Sequence, residues 1–380
     1  MKKKLILIPI TLTALSPTIS LVGCGGDTPE PPEPTGESFE SCSWSYINDK
    51  ATALENATIT QQDFCASFTI KGKTPESMAD FIGVERTATI NNVKHRVRVV
   101  DEEHDVIVDA DNDPTNDTFA TLTFEFADAI SDEKGGLASF WNDTESSIAN
   151  NFNYLNSTLR YNLTKLGTGN AHKNHTGTQW YGCDSDGNSQ TTHRSEFENT
   201  SVLDMIQTGE PELYDALKST KQYVATTTTD WSSGITTDTE YHDKVFLANA
   251  YCYGYKDEWA IETIPTPYKY YEYENEMSDK DGGRLKHAVG ITDETAKESI
   301  SNITDALYTA TTYNFAGYTI KNTDSRFKKE RLGANFWLSS PYTDFDYGSA
   351  QAWSITNVGN EYGANGTNEY ALCVAPCFCI

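Results

Sequence analysis

The sequence predicts an α+β fold, rich in β structure, built as a single compact globular domain of short antiparallel strands and a few amphipathic helices. Three observations predict it. Apolar residues alternate with period two in several short runs, they recur every three or four residues in others, and Gly, Asn and Asp divide the last third into brief segments.

Taken in chain order, VKHRVRVV puts Val93, His95, Val97 and Val99 on one face of a strand and Lys94, Arg96 and Arg98 on the other. ATLTFEF repeats the pattern, with Ala120, Leu122, Phe124 and Phe126 expected to point inward. The period then changes. Ile148, Phe152, Leu155, Leu159 and Leu163 form the stripe of an amphipathic helix. SVLDMI and PELYDALKS read as short helices, the second with Pro211 in its first turn, where the missing N–H costs nothing. DKVFLA is a brief apolar strand, and TDETAKESISNITDALYTA, with Ile300, Ile303 and Leu307 in phase, is a further helix. FWLSSP, AWSITNVG and ALCVAPCFCI are the closing strands.

The chain opens on MKKKLILIPITLTALSPTISLVGCGG, with Lys2, Lys3 and Lys4, an apolar run, and then Leu21, Val22, Gly23 and Cys24. This is the pattern of an export signal ending in a lipobox, so residues 1–23 are expected to be a lipoprotein signal peptide and Cys24 to carry lipid. A transmembrane helix is the competing reading. It is disfavoured because Pro9 and Pro17 interrupt a run already short of the ~20 apolar residues a span needs. Residues 24–40, with Pro29, Pro31, Pro32 and Pro34 among acids, read as an extended tether, which leaves 41–380 for the globular body.

The 380 residues contain 55 Asp+Glu against 29 Lys+Arg, and removing the signal would take away three lysines and no acid. So acidic a surface repels nucleic acid and anionic headgroups, which excludes those partners. It suits a solvated surface protein, or one that binds cations. DADND places Asp109, Asp111 and Asp113 at alternate positions as in a calcium loop. Pro114 stands where an EF-hand needs glycine and Ala120 where it needs the bidentate Glu, so only an irregular calcium site is open to these residues. DSDGN and SDKDGG are rivals, each also readable as a plain turn. No other cofactor is indicated.

Of the eight cysteines, Cys373, Cys377 and Cys379 crowd the last eight residues. Their CxxxCxC spacing is not that of a zinc site, and no histidine lies nearby. They read as small buried hydrophobes of a terminal core strand. Cys42 and Cys65 are the candidates for a bridge, whereas Cys183 and Cys252 have no evident mates.

Catalytic motifs are missing from the sequence: no H-E-x-x-H, no G-x-S-x-G, no phosphate-binding glycine loop. His104 and Asp105 are a base and its orienter in composition only, because neighbours on a strand point to opposite faces. No catalytic residue is assigned. TPYKYYEYENE is a better candidate for binding: Tyr271 and Tyr273 share a face if extended, and tyrosine rings suit sugars and protein partners. Trp353 and Tyr362, near the C-terminal segments 344–349 and 359–368 that read as loops, are further candidates for ligand contact.

Several of these pieces resemble, in order, the bacterial and phage domain family DUF6273. FWLSSP, AWSITNVGN and a closing VAPCFCI are similar to that family's end, and FIGVERTATINN, VRVVDEEHD, NSTLRYNL, ELYDALKSTKQY, DKVFLANAYCYG and YKYYEYEN to its earlier segments. The resemblance runs from about Trp44 to Ile380. It departs at Ser339, where the family usually has Arg, and at residues 167–200, which look like an insertion. It implies a module and not a reaction, and its closing strands resemble C-type-lectin-like folds by analogy alone. The expectation is a lipid-anchored binding module on the extracytoplasmic face of a cell membrane, recognising a glycan or a protein on another surface. An extracytoplasmic enzyme acting on a polymer and a structural surface-coat lipoprotein are the alternatives.

Overall fold

Serine, threonine and aspartate set where the helices begin. Ser43 accepts from the Tyr46 N–H and starts α1 (Trp44–Glu55), Thr60 and Asp63 form a reciprocal capping box at the head of α2 (Gln61–Ala66), and Ser157 accepts from the Arg160 N–H to open α3 (Thr158–Thr164). A second box, Ser201 with Asp204, heads α4 (Val202–Gly209), and Pro211 occupies the first turn of α5 (Pro211–Ala216). The computed structural model describes residues 36–108, 118–140, 154–166, 178, 180–183, 189–227, 236–249, 252, 268–269, 312–315, 318–321, 336–342, 351–355, 361–366 and 371–380. All lie in the unit Thr35–Ile380. The expected signal peptide, most of the expected tether and the helix expected over 292–310 fall outside these residues.

The fold is α+β and β-rich. Among the described residues a five-stranded antiparallel sheet runs in the order Val245–Phe246, Cys377–Cys379, Leu122–Phe126, Val93–Glu102 and Glu85–Ile90. Asn91 and Asn92, both left-handed at φ 53° and 62°, make the two-residue turn that joins its last two strands. A larger eight-stranded sheet has the order Ser189–His193, Tyr181–Cys183, Gly135–Phe140, Ala371–Cys373, Phe336–Tyr342, Gln351–Ile355 and Glu361–Gly366, with Ser131–Asp132 paired beside Gly135–Phe140. A third sheet contains the hairpin of Thr220–Thr227 with Thr236–Asp243, next to Val106–Ile107 and Thr118–Phe119.

The final ten residues belong to two sheets. Ala371–Cys373 lies parallel to Phe336–Tyr342 and antiparallel to Gly135–Phe140, and after Val374, Ala375 and Pro376 the strand Cys377–Cys379 enters the central sheet. All ten are buried. Phe378 stacks on Phe124 at 5.1 Å between ring centres, and Trp44 of α1 meets Phe124 edge-on at 5.6 Å. Phe39, Phe68 and Phe81 extend this aromatic core.

Several expectations are corrected. The face opposite the apolar residues is also covered in Leu122–Phe126: Thr121, Thr123 and Glu125 are as buried as the apolar residues between them, and Arg98 on the neighbouring strand is buried too. A strand in the middle of a covered sheet is buried on both sides. The stripe from Ile148 to Leu163 is not one helix in its described part. A 3-10 turn at Tyr154–Asn156 precedes α3, and Ser157 between them takes the extended backbone of a cap. Cys42 and Cys65 are both free and buried, so they form no bridge. Cys373 is disulfide-bonded, not merely packed. Cys252, Cys377 and Cys379 are not in disulfides. Burial pushes the thiols of Cys252 and Cys379 up, which keeps them neutral and unreactive.

Candidate functional site

The sequence-predicted site residues separate into those the structure places and those it does not. Cys24, the calcium candidates Asp109, Asp111 and Asp113, and the ring candidates Tyr271 and Tyr273 lie outside the described residues. Trp353 and Tyr362 are placed by their backbone. Trp353 sits in the strand Gln351–Ile355 and Tyr362 in Glu361–Gly366, and the register sets Tyr362 directly opposite Ser354, the residue after Trp353. Ala352 pairs with Asn365, so the register shifts between the two pairs. Residues 361–366 therefore form a strand, where a loop was expected. Glu361–Gly366 is the end strand in the order of the larger sheet, and terminal strands with bulges are common where a surface is shaped for a ligand.

A second cluster lies at the end of the strand Val93–Glu102, and sequence reasoning missed it. Glu103 adopts a left-handed conformation (φ 48°), so the strand stops before His104 and its side chain turns toward that of Asp105. His104 Nδ1 is 3.4 Å from Asp105 Oδ2, with both side chains largely buried. Thr123 Oγ1 donates to Asp105 Oδ2 at 2.6 Å and Gln222 Nε2 donates to Oδ1 at 3.0 Å. Burial alone would raise the Asp105 pKa, but the charge and hydrogen bond of His104 and the two other donors outweigh it and hold the carboxyl low. Asp101 shows the opposite balance. Burial raises its pKa, against the lowering effects of His104, the Lys269 N–H and the Lys269 ammonium. A left-handed Glu103 between Glu102 and His104 leaves no signature in composition or period, so only the structure could pair His104 with Asp105.

The remaining buried charges are structural. Arg98 Nη1 lies 3.5 Å from Glu125 Oε1, and its Nη2 donates to Glu85 at 2.7 Å. Arg160 holds Asp243 through Nε and Nη2, both at 2.9 Å, which ties α3 to the hairpin strand. Arg86 lies over the Trp44 ring at 4.3 Å and donates to the Cys42 carbonyl at 2.5 Å. Ser339, at the site where an Arg was expected from the family pattern, is buried, and its Oγ has no hydrogen-bond partner among the described residues. Among the described residues no group of three or more His, Cys, Asp or Glu side chains is arranged to hold a metal, and no helix is long and apolar enough to cross a membrane. Comparison with protein-family models, with curated proteins and with solved structures finds no match.

Proposed function

We propose that this chain is a lipid-anchored, extracytoplasmic binding module that contacts a glycan or a protein on another surface. Its ligand face would be the end of the larger sheet, around Trp353 and Tyr362, with Tyr271 and Tyr273 contributing. The observation that carries this reading is the pairing of Tyr362 with Ser354, which brings two candidate aromatic positions onto neighbouring strands at the sheet's end. Two further features support it. The disulfide at Cys373 suits an oxidising compartment, where such bonds persist. The excess of 55 acidic over 29 basic residues suits a solvated surface and disfavours nucleic acid. Kinship with DUF6273, and through it a C-type-lectin-like arrangement of the closing strands, is part of the same proposal and rests on motif order alone.

Two experiments test it. Cys24→Ala in the full chain should abolish incorporation of labelled fatty acid and partitioning into detergent; unaltered labelling sinks the anchor. The same non-lipidated chain, screened on a glycan array and against cell surfaces, should bind a defined ligand. Trp353→Ala and Tyr362→Ala should each weaken that binding by ~1 to 2 kcal/mol or more while leaving the melting temperature near wild type. If both variants bind as wild type does, the ligand face lies elsewhere.

A further inference from the structure

Glu85–Ile90 is the end strand of the central sheet, and a row of its backbone groups faces away from the ladder. The two-residue turn at Asn91 and Asn92 makes Ile90 and Val93 a hydrogen-bonded pair, so Ala88 with His95 and Arg86 with Val97 are bonded pairs too. Glu85, Thr87 and Thr89 fall at the alternate positions, where N–H and carbonyl groups point out from the sheet's edge. Arg96, opposite Thr87, agrees with this phase. Its N–H donates to Asp128 Oδ2 at 2.7 Å and its carbonyl accepts from the Ala127 N–H at 2.9 Å, both on the side away from Thr87. Such an edge accepts a further strand unless something covers it. The joint between α4 and α5 covers Thr89. The Glu210 N–H donates to the Ile206 carbonyl at 2.8 Å and its carbonyl accepts from the Tyr214 N–H at 3.0 Å, which fixes its backbone between the two helices. Its side chain reaches the strand, where Oε1 accepts from the Thr89 N–H at 2.6 Å. Gly209, the last residue of α4, lies so close that a Cβ there would overlap the Thr89 carbonyl oxygen. Thr87, two residues along the same edge, is exposed, and among the described residues nothing pairs with its N–H or carbonyl.

We propose that the α4–α5 joint is a guard on this edge that keeps the chain monomeric, and that where the guard lifts, Glu85–Ile90 pairs antiparallel with the same strand of a second copy. With Gly209 and Glu210 in place, only Glu85 and Thr87 still offer outward groups, too short a run to hold a strand. The occupant is a second copy because the edge complements itself. Pairing about Thr87 sets Glu85 opposite the second copy's Thr89, so no like charges meet along the seam. Beyond that threonine, on the same face of the sheet, stands the second copy's Lys94, its cross-strand neighbour. Lys94 is exposed and has no ion partner among the described residues. Two-fold symmetry makes the match twice, each glutamate toward the other copy's lysine. Main-chain hydrogen bonds from Thr87 and Thr89 supply the attraction, as in strand addition generally.

The test uses the full chain carrying Cys24→Ala, so that no lipid drives association. Hydrogen exchange reads the guard: Glu210→Ala should speed exchange of the Thr89 amide about tenfold or more, the scale of a hydrogen bond to a charged group. A Thr89 amide that exchanges equally fast with and without Glu210 overturns the proposal. Sedimentation velocity over a concentration series reads the pairing. The parent chain should stay monomeric, whereas Gly209→Ala with Glu210→Ala should form a dimer whose share rises with concentration. Adding Thr87→Pro removes an outward N–H without touching the ladder to Val93–Glu102, and should return the protein to monomer. Thr87→Lys, which sets two like charges face to face only in the paired state, should do the same. A parent chain that dimerises as strongly as the double variant, a double variant that stays monomeric, or a dimer that survives either change at Thr87 overturns the proposal. Should Gly209→Ala fail to fold, Glu210→Ala alone decides by the same readings; should Thr87→Pro fail to fold, Thr87→Lys decides.

Discussion

Two glutamates, Glu125 of the central sheet and Glu240 of the hairpin Thr220–Thr227/Thr236–Asp243, sit in opposite surroundings. In the central sheet Glu125 is fully buried and faces Arg98 across two strands, with Glu85 completing the set. In the hairpin Glu240 accepts from His242 at 2.7 Å and from the Tyr223 hydroxyl at 3.1 Å, but the Glu240 and His242 side chains are 41% and 38% exposed. The contacts look alike on paper. Their energetics differ, because a charge removed from water depends on its partner far more than one that water still solvates.

Breaking this comparison begins in the centre. Glu125→Gln leaves Arg98 without its innermost partner in a covered sheet and should cost ~3 to 5 kcal/mol in urea denaturation. A loss under ~1 kcal/mol would mean that the central pair is no more demanding than a surface one. Phe378→Ala tests the apolar side of the same sheet. Removing a ring stacked on Phe124 should cost ~3 to 5 kcal/mol, and a near-neutral result would show that the terminal strand is not part of the core.

A smaller effect is expected from the covalent link in the other sheet. Reduction of the Cys373 disulfide should lower stability by ~2 to 4 kcal/mol, measured as a fall in melting temperature on adding a thiol reductant. Cys42, Cys65, Cys252, Cys377 and Cys379 should resist alkylation until the protein unfolds, because all five are buried.

The effect of pH sharpens the contrast further. His95 Nε2 accepts from the Ser131 N–H at 3.0 Å, so Nδ1 carries the proton and donates to the Val93 carbonyl at 3.0 Å. Burial lowers its pKa, against the opposing effects of Asp128 and the Val93 carbonyl. The unfolded chain then binds more protons at this residue than the folded one. Its contribution is fully present above the ordinary histidine pKa and is lost as pH falls from there toward the lowered folded value. Urea titrations between about pH 7.5 and about pH 5 should show this decline, and His95→Gln should flatten it. A slope unchanged in that variant would assign the decline to other groups. Glu240→Gln closes the series. Its pair is solvated, so the loss should be at most ~1 kcal/mol and should shrink in high salt.

Which elements could be read from sequence follows from how local their causes are. Ser201 with Asp204, and Pro211 at a first turn, act within one turn of helix, and α4 and α5 stand where SVLDMI and PELYDALKS put them. Phe124 and Phe126 alternate into the core as their spacing requires. The stripe through Leu155 and Leu159 misled because Ser157 competes as a cap, a choice that periodicity does not weigh. At the proposed ligand face, the aromatic residues at 353 and 362 were visible as composition, but their neighbouring placement needed the strand register.

By itself the sequence determined the α+β class, the heads of α4 and α5, the inward residues of the central strands and the apolar terminal segment, because each depends on contacts a few residues apart. The tertiary structure alone decided that both faces of Leu122–Phe126 are covered, that the last ten residues belong to two sheets, and that His104 meets Asp105 and Tyr268. Those outcomes depend on long-range pairings such as Phe378 with Phe124 and Lys269 with Asp101. Residues separated by more than a hundred positions leave no period in the sequence, and only the closing of the chain brings their side chains out of water together.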